Sequence, residues 1–113
     1  MAKVEIVESL YQEINQKFKQ ESIEVLEHLK SLGSSPHKGK LLGTVGGIVI
    51  KELKYNSFRF YFITDGFTLK CMDKEKLIDL LLRFVRMSDK RYQQQTIHEI
   101  KHVLQMVGPE GFK

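Results

Sequence analysis

The segment TIHEIKHVLQMVG, residues 96–108, holds His98, Glu99 and His102 in the spacing H-E-x-x-H. On a helix this spacing places two imidazoles on one face, one turn apart, beside a glutamate that can serve as general base. Such an arrangement is typical of zinc-dependent hydrolysis, in which the metal activates a water molecule. A zinc site is therefore the first chemistry that the chain suggests.

A catalytic zinc ion needs a third protein ligand, and the sequence supplies none at a suitable spacing. An extended form of the motif requires glycine and histidine at positions that hold Gln105 and Gly108, and only a short segment follows His102. The single cysteine, Cys71, cannot found a cysteine-based zinc site. We therefore interpret the histidines as the polar flank of a helix, and we expect no metal and no other cofactor. The apolar stripe of that helix consists of Ile97, Ile100, Leu104 and Val107.

Basic residues offer a second kind of chemistry. The formal net charge of +4 is modest, so it permits a polyanionic partner without requiring one. The cations concentrate in a stretch that predicts strands and in the junction before the last helix. The first group is Lys38, Lys40, Lys51, Lys54 and Arg59, and the second is Arg83, Arg86, Lys90 and Arg91, followed by Tyr92. A surface that combines cations with tyrosine suits phosphate contacts and base stacking.

Helical segments flank the basic stretch on both sides. Apolar spacing predicts helix from about residue 4 to residue 30, and Ser22 is placed to cap a second helix, which favours a helical hairpin over one long rod. Residues 93–107 predict a closing helix that ends at Gly108 and Pro109.

The central stretch, residues 43–72, predicts an antiparallel meander because it is rich in β-branched and aromatic residues. Turn signals lie at residues 56–57 and 65–66, and residues 78–87 read as a further strand or a helix. In FRFYFI the three phenylalanines alternate with Arg59 and Tyr61. We expect the phenylalanines to pack on the helices, which leaves Arg59 and Tyr61 on an exposed face. Lys51 and Lys54 cannot both share that face unless their strand bulges.

The predicted fold is a single α+β domain, residues 1–113, in which two N-terminal helices pack on a twisted antiparallel sheet with a C-terminal helix. The longest apolar run, LIDLLLRFV, is short and interrupted by charge, so no membrane span is expected. Acidic residues occupy the N-terminal segment where a secretory signal would be apolar. These features favour a cytoplasmic location.

Three stretches resemble the RelE/ParE toxin superfamily, most closely its RelE and HigB-like branch. They are PHKGKLLG (36–43), IKELKYNSFRFYF (50–62) and LLLRFVRMSDKRYQQQTIHEI (80–100), which are similar to the loop entering the sheet, the paired central strands, and the last strand with its basic junction and helix. The resemblance implies a RelE-like fold with a concave basic face. It also implies metal-independent cleavage of messenger RNA in the ribosomal decoding site.

The resemblance assigns roles to five residues. Arg59 matches the arginine of the central strand, and Arg86 matches an arginine at the end of the last strand. Tyr92 matches the tyrosine that stacks on the substrate. Lys54 matches a basic position after the Glu-Leu pair, and Lys90 matches a junction lysine of HigB-like members. These residues are the expected catalytic set.

The general base stays open among Glu52, Lys54 and His37, because Glu52 stands where RelE-type members have a catalytic lysine. Arg59 and Arg86 are hypothesised to stabilise the pentacovalent phosphate without a metal, since guanidinium groups complement phosphate oxygens. The remaining cations are expected to contact the RNA backbone. They are Lys38, Lys40, Lys51, Arg83 and Arg91.

The partners implied by the resemblance are a cognate antitoxin protein, the ribosome and messenger RNA. The sequence contains no DNA-binding element of its own, so operator binding is expected to require the antitoxin. Two alternatives stay open: a ParE-like binding protein that inhibits gyrase, and a RelE-fold homologue that has lost toxicity.

Overall fold

A computed structural model describes residues 3–35, 38–64 and 81–113. Within these ranges a five-stranded mixed sheet and three α-helices form an α+β fold. The strands are β1 (Lys3–Ile6), β2 (Lys40–Val45), β3 (Ile48–Tyr55), β4 (Phe58–Thr64) and β5 (Leu81–Asp89). The helices are α1 (Glu8–Phe18), α2 (Ser22–Lys30) and α3 (Gln93–Met106). Short 3₁₀ turns follow α1, α2, β5 and α3.

The sheet has the strand order β1-β5-β4-β3-β2, and β1 runs parallel to β5. The prediction of an all-antiparallel sheet was therefore wrong, as was the prediction of helix from about residue 4. In β1, Val4 and Ile6 alternate with Lys3 and Glu5, a period of two that suits a strand. Both apolar side chains are half-buried beside β5, where the sheet supplies hydrogen-bond partners for the backbone.

The N-terminal helical region divides at Lys19, whose φ of 51° interrupts the helix after Phe18. A 3₁₀ turn, Lys19–Glu21, then leads into α2. Ser22 does not cap this helix: it is the first helical residue and is buried, and Glu21 occupies the cap position without a side-chain bond. The predicted cap was wrong because the 3₁₀ turn already supplies helical geometry before Ser22.

One face of the sheet packs against α1, as predicted for the phenylalanine face. The ring of Phe18 lies 5.1 Å from that of Phe58 and 6.3 Å from that of Phe60, centroid to centroid. Phe60 and Phe62 are fully buried. The predicted turn at residues 56–57 is confirmed, with Asn56 at a φ of 54°, whereas the turn predicted at residues 65–66 lies outside the described residues.

The opposite face of the sheet is covered by α3, so the prediction of an exposed face there was wrong. Tyr61 is fully buried. The reason lies in α3, whose Ile97, Ile100 and Leu104 form a stripe that is buried against the molecule. A helix with such a stripe covers the sheet face that α1 and α2 leave open.

The structure decides one alternative that the sequence left open. Of residues 78–87, read as either strand or helix, those from Leu81 onward belong to β5, and residues 78–80 lie outside the described residues. The closing helix ends at Met106, and Gly108 follows with a φ of 103°. No helix within the described ranges has the length and apolar content needed to cross a bilayer.

Candidate nucleic-acid interface

A bulge in β5 directs Arg86 towards the face that α3 covers. Tyr61 pairs with Arg86 and Phe62 pairs with Phe84, so Val85 is an additional residue in β5. Such a bulge re-aims the side chains that follow it. Arg86 consequently lies on the same side of the sheet as Tyr61 and reaches α3.

Arg59 and Glu52 form an ion pair on that face, with Arg59 Nε 3.5 Å from Glu52 Oε1. The side chain of Glu52 is only 2% exposed and that of Arg59 is 13% exposed. Gln93, the first residue of α3, donates from Nε2 to Glu52 Oε2 at 3.3 Å. The buried carboxylate therefore neutralises Arg59 and also holds the start of α3 on the sheet.

Arg86 has three contacts around its guanidinium group. Its Nε donates to Glu99 Oε1 at 2.7 Å, and its Nη1 donates to the carbonyl oxygen of Val85 at 2.8 Å. The ring of Phe112 lies 5.1 Å from the guanidinium carbon. The pair is more accessible than the Arg59 pair, with Arg86 26% and Glu99 53% exposed.

The H-E-x-x-H segment is thereby placed on α3 with its glutamate bound to an arginine. His98 and His102 are both exposed. Within residues 3–35, 38–64 and 81–113 no group of three or more histidine, cysteine, aspartate or glutamate side chains is arranged to hold a metal ion. The chemistry of Glu99 here is that of an anionic partner for Arg86.

A buried hydrogen bond lies on the same face as the two arginine pairs. The hydroxyl groups of Tyr61 and Ser88 are 2.8 Å apart, and both residues are buried. Burial raises the pKa of Tyr61, which keeps the phenol neutral at physiological pH. This bond fixes β4 to β5 on the face that carries Arg59 and Arg86.

Two of the predicted RNA-binding arginines form ion pairs of their own. Arg83 pairs with Glu5 of β1 at 3.1 Å and donates to the carbonyl oxygen of Pro109 at 3.2 Å, so it ties β5 to the C-terminal segment. Arg91 pairs with Asp89 at 3.4 Å and is 79% exposed. Arg83 pairs with Ile63 in the sheet and so lies on the same side as Arg59. Its carboxylate partner, however, comes from β1, and that of Arg91 comes from the end of β5.

The predicted lysines do not share one face. Lys54 pairs with Arg59 across the strands, is exposed, and lies on the same side of the sheet as Arg59. Lys51 pairs with Phe62 instead, and its Nζ lies 6.0 Å from that ring on the phenylalanine side. Burial lowers the pKa of Lys51. The prediction that Lys51 and Lys54 cannot share a face without a bulge is therefore confirmed, and Lys51 lies away from the other predicted RNA-binding cations of this strand pair.

The other lysines are exposed at the periphery. Lys38 and Lys40 stand where the chain enters β2, next to Gly39 with its φ of 101°. Lys90 opens the 3₁₀ turn before α3. His37 lies outside the described residues.

The junction between β5 and α3 is shaped by Asp89. Its Oδ1 accepts hydrogen bonds from the backbone N–H groups of Arg91 at 2.9 Å and Tyr92 at 3.3 Å. Burial alone would raise the pKa of Asp89, but the Tyr92 and Arg91 amides and the Arg91 guanidinium outweigh burial and lower it. Thr96 donates from Oγ1 to the carbonyl oxygen of Tyr92 at 2.9 Å. These bonds hold the backbone of Tyr92 in place, and the residue is 53% exposed.

A cleft of about 380 Å³ opens beside Tyr92, where β1 no longer covers the edge of β5. Side chains from α1, from the sheet and from the junction line it. Those with charged or aromatic groups are Glu13, Lys17, Phe58, Asp89, Arg91 and Tyr92. A volume of this size falls at the lower end of small-ligand sites, about 300–1,000 Å³.

The sequence did not predict the part that four residues take in this site. They are Glu13, Gln93, Glu99 and Phe112. Glu99 was visible, since its position in H-E-x-x-H marked it, but its arginine partner lies 13 positions away on another element. Gln93 and Phe112 carry no local signal for their contacts. Glu13 precedes Lys17 by one helical turn, a spacing that hints at a shared surface.

The arrangement therefore places Arg59, Arg86 and Lys54 on one side of the sheet, with Tyr92 where α3 begins. Comparison of the chain with protein-family models, with curated proteins and with solved structures finds no match in any of the three.

Proposed function

We propose that this protein is the toxin of a type II toxin–antitoxin pair, a ribosome-dependent messenger RNA endoribonuclease with a RelE-like fold. The observation that carries the proposal is the position of Arg59 and Arg86. Both lie on the same side of the sheet, under α3, and come from neighbouring strands. Two guanidinium groups on one face suit a phosphate that gains charge during reaction.

The proposed reaction uses the 2′-hydroxyl of the RNA as nucleophile. The 2′-oxygen attacks the adjacent phosphorus, the bond from phosphorus to the 5′-oxygen breaks, and a 2′,3′-cyclic phosphate forms. The proton lost from the 2′-hydroxyl goes to a base, and the departing 5′-oxygen receives a proton from an acid. Arg59 and Arg86 stabilise the added negative charge, and no metal is required.

The burial of Glu52 bears on the choice of base. With 2% of its side chain exposed and its two oxygens directed at Arg59 and Gln93, Glu52 is positioned to hold Arg59 rather than to reach a 2′-hydroxyl. Lys54 and His37 therefore stay as the candidates for the base. Tyr92 stacks on a nucleotide, and Lys54 and Lys90 position the backbone.

Access of RNA to Arg86 requires that Glu99 give way. Glu99 is about half exposed, and exposed ion pairs contribute only about 0–1 kcal/mol. A phosphate group is an equally suitable partner for guanidinium. Replacement of the Glu99 carboxylate by a phosphate group at Arg86 should therefore cost little free energy. We further propose a cytoplasmic protein restrained by a cognate antitoxin, which also supplies operator binding.

The test is induction of the chain alone, with growth, translation and the 5′ ends of messenger RNA followed in time. New 5′ ends within translated messages, dependent on the ribosome, are expected. Arg86→Ala should reduce cleavage by about a hundredfold, the usual cost of one lost transition-state contact. Lys30→Ala, an exposed change of the same charge on α2, is the matched control. Intact cleavage in both Arg59→Ala and Arg86→Ala would refute the proposal.

A second candidate is a RelE-fold homologue that has lost toxicity. The Arg59–Glu52 pair favours it, because a buried carboxylate neutralises the central arginine. Unimpaired growth on induction without a partner would support this candidate. Arrest of DNA supercoiling before translation would instead indicate a ParE-like inhibitor of gyrase.

A further inference from the structure

The cleft beside Tyr92 has a balanced set of charges. Lys17 and Arg91 are offset by Glu13 and Asp89, so the charged side chains around the cleft sum to zero. Sites that bind phosphate require an excess of positive charge. A neutral ligand with both donors and acceptors fits this lining better than a phosphate group does.

Tyr92 gives the cleft a flat apolar surface. The residue is 53% exposed, and the Arg91 guanidinium carbon lies 5.5 Å from the centroid of its ring. The Asp89 and Thr96 bonds hold the backbone of Tyr92 in position. An exposed ring of this kind is a platform on which a nucleobase stacks.

Glu13 supplies the acceptor that a base edge requires. Its exposed carboxylate forms no hydrogen bond and no ion pair within the part of the chain that the structure describes. The Asp89 carboxylate, in contrast, is occupied by two backbone amides and Arg91. Lys17 follows Glu13 by one helical turn on α1, and its Nζ lies 5.0 Å from the centroid of the Phe58 ring at the cleft. The two side chains present an acceptor and a donor next to each other.

This pair of groups discriminates among the four bases. On its pairing edge guanine has two adjacent donors, N1–H and N2–H, beside the O6 acceptor. A carboxylate accepts from both donors in a bidentate arrangement, and an ammonium group donates to O6. Adenine and cytosine have one amino donor beside an acceptor nitrogen, and uracil has one donor between two acceptors. Only guanine satisfies both oxygens of a carboxylate.

We propose that this cleft binds a guanine base of the RNA substrate, with the ring stacked on Tyr92 and the pairing edge bound by Glu13 and Lys17. RNA as the source of the guanine rests on the proposed function. The consequence is a preference for cleavage next to guanine, set by α1 rather than by the sheet.

The test uses the free protein, with backbone amide signals followed by NMR during addition of guanosine 5′-monophosphate, adenosine 5′-monophosphate or inorganic phosphate. The guanine nucleotide should shift the signals of Tyr92 and Thr96 and bind about tenfold more tightly than the adenine nucleotide, in line with one bidentate contact. Glu13→Gln should abolish that preference, since an amide offers only one acceptor. Inorganic phosphate should leave these signals unchanged.

The matched control is Glu27→Gln, the same substitution at an exposed position of α2 outside the cleft, which should retain the preference for guanine. Tyr92→Ala should weaken both nucleotides alike, because stacking does not depend on base identity. Equal binding of the two nucleotides by the wild type, or an unchanged preference in Glu13→Gln, would overturn the proposal.

Failure of this inference is separable from failure of the proposed function. If the wild type cleaves messenger RNA beside all four bases alike and binds both nucleotides equally, the proposed guanine site is wrong, and the proposed nuclease function is supported. If the wild type does not cleave messenger RNA, the nuclease is wrong, and the nucleotide titration still decides the base preference of the cleft.

Discussion

The ion pairs of Arg59 and Arg86 lie on one face of the same sheet, and they differ in where the glutamate comes from. Glu52 is on β3, in fixed register with the strand that carries Arg59. Glu99 is on α3, in the layer above Arg86. The first pair is almost fully buried, whereas Glu99 is about half exposed. The burial of each carboxylate sets how strongly its arginine is restrained and how much of that arginine solvent can reach.

The energetic consequences follow from solvation. A buried charge that loses its partner costs about 3–5 kcal/mol, because the remaining ion has neither water nor a counter-charge. An exposed pair contributes about 0–1 kcal/mol, since water replaces the lost partner. Arg59 is therefore the more strongly restrained of the two cations, and Arg86 is the more accessible to an incoming anion.

Removal of Glu52 tests the buried ion pair and should cause the largest loss of stability among these variants. Glu52→Ala leaves Arg59 without its counter-charge and Gln93 without its acceptor, so the free energy of unfolding should fall by about 3 kcal/mol. Urea denaturation of the variant and the wild type measures the change. Glu99→Ala is the comparison and should lower stability by less than about 1 kcal/mol. Equal losses of stability in the two variants would contradict the distinction between a buried pair and an exposed pair.

The bond between Tyr61 and Ser88, which lies on the same face as both pairs, should have an intermediate effect. Tyr61→Phe removes one hydroxyl from a buried hydrogen bond and should cost about 1–2 kcal/mol. Ser88→Ala should cost a similar amount. In the double variant the losses should be less than additive, because each single change already breaks the bond. Full additivity in thermal or urea unfolding would show that the two hydroxyls are not coupled.

A neutral residue in place of Glu99 tests the more exposed of the two ion pairs. Glu99→Gln should change stability by less than about 1 kcal/mol, yet it removes the anion that competes with phosphate for Arg86. If the proposed function holds, ribosome-dependent cleavage should increase a few-fold. Glu24→Gln, an exposed change of the same type on α2, serves as the control and should leave cleavage unchanged. A decrease in Glu99→Gln would mean that the carboxylate orients Arg86 instead of competing for it.

The smallest effect on stability is expected at Asp89. Its partner Arg91 is 79% exposed, so solvent weakens this ion pair more than those of Arg59 and Arg86. The folded-state pKa of Asp89 is depressed, so its contribution is present above the unfolded pKa of about 3.9 and is lost as pH falls through the lower folded value. Below that range the amides of Arg91 and Tyr92 lose their anionic acceptor. Acid titration by NMR should show those two amide signals moving together. Amide signals that do not move would contradict the hydrogen bonds from these two amides to Asp89.

The sequence predicted the elements that have strong local patterns. The turn at Asn56, the phenylalanine face of β4 and the helix α3 each follow from spacing within a few residues. β1 was missed because four residues carry little periodicity and their partner strand lies 78 positions away in register. The covering of the Tyr61 face was also missed, since an apolar stripe shows that a helix packs but not against which surface.

The sequence identified the cations of the candidate site and named Glu52 and Glu99, but it did not predict that these two glutamates pair with Arg59 and Arg86. Arg59, Arg86 and Lys54 stand out by residue type, and strand alternation already separated Lys51 from Lys54. What local spacing cannot supply is the partner of each charge, because that partner comes from a distant segment. Arginine counts alone therefore overstate the positive character of this face.

The parallel pairing of β1 with β5 has a consequence for the order of events during synthesis. Lys3–Ile6 has no sheet partner until Leu81–Phe84 has left the ribosome, because the contact joins segments that are far apart in sequence. Nascent chains that stop before β5 leave the outer edge of β4 unpaired as well. Such chains are exposed to edge-to-edge association, so stalled translation products of this protein should be more prone to aggregation than the complete domain.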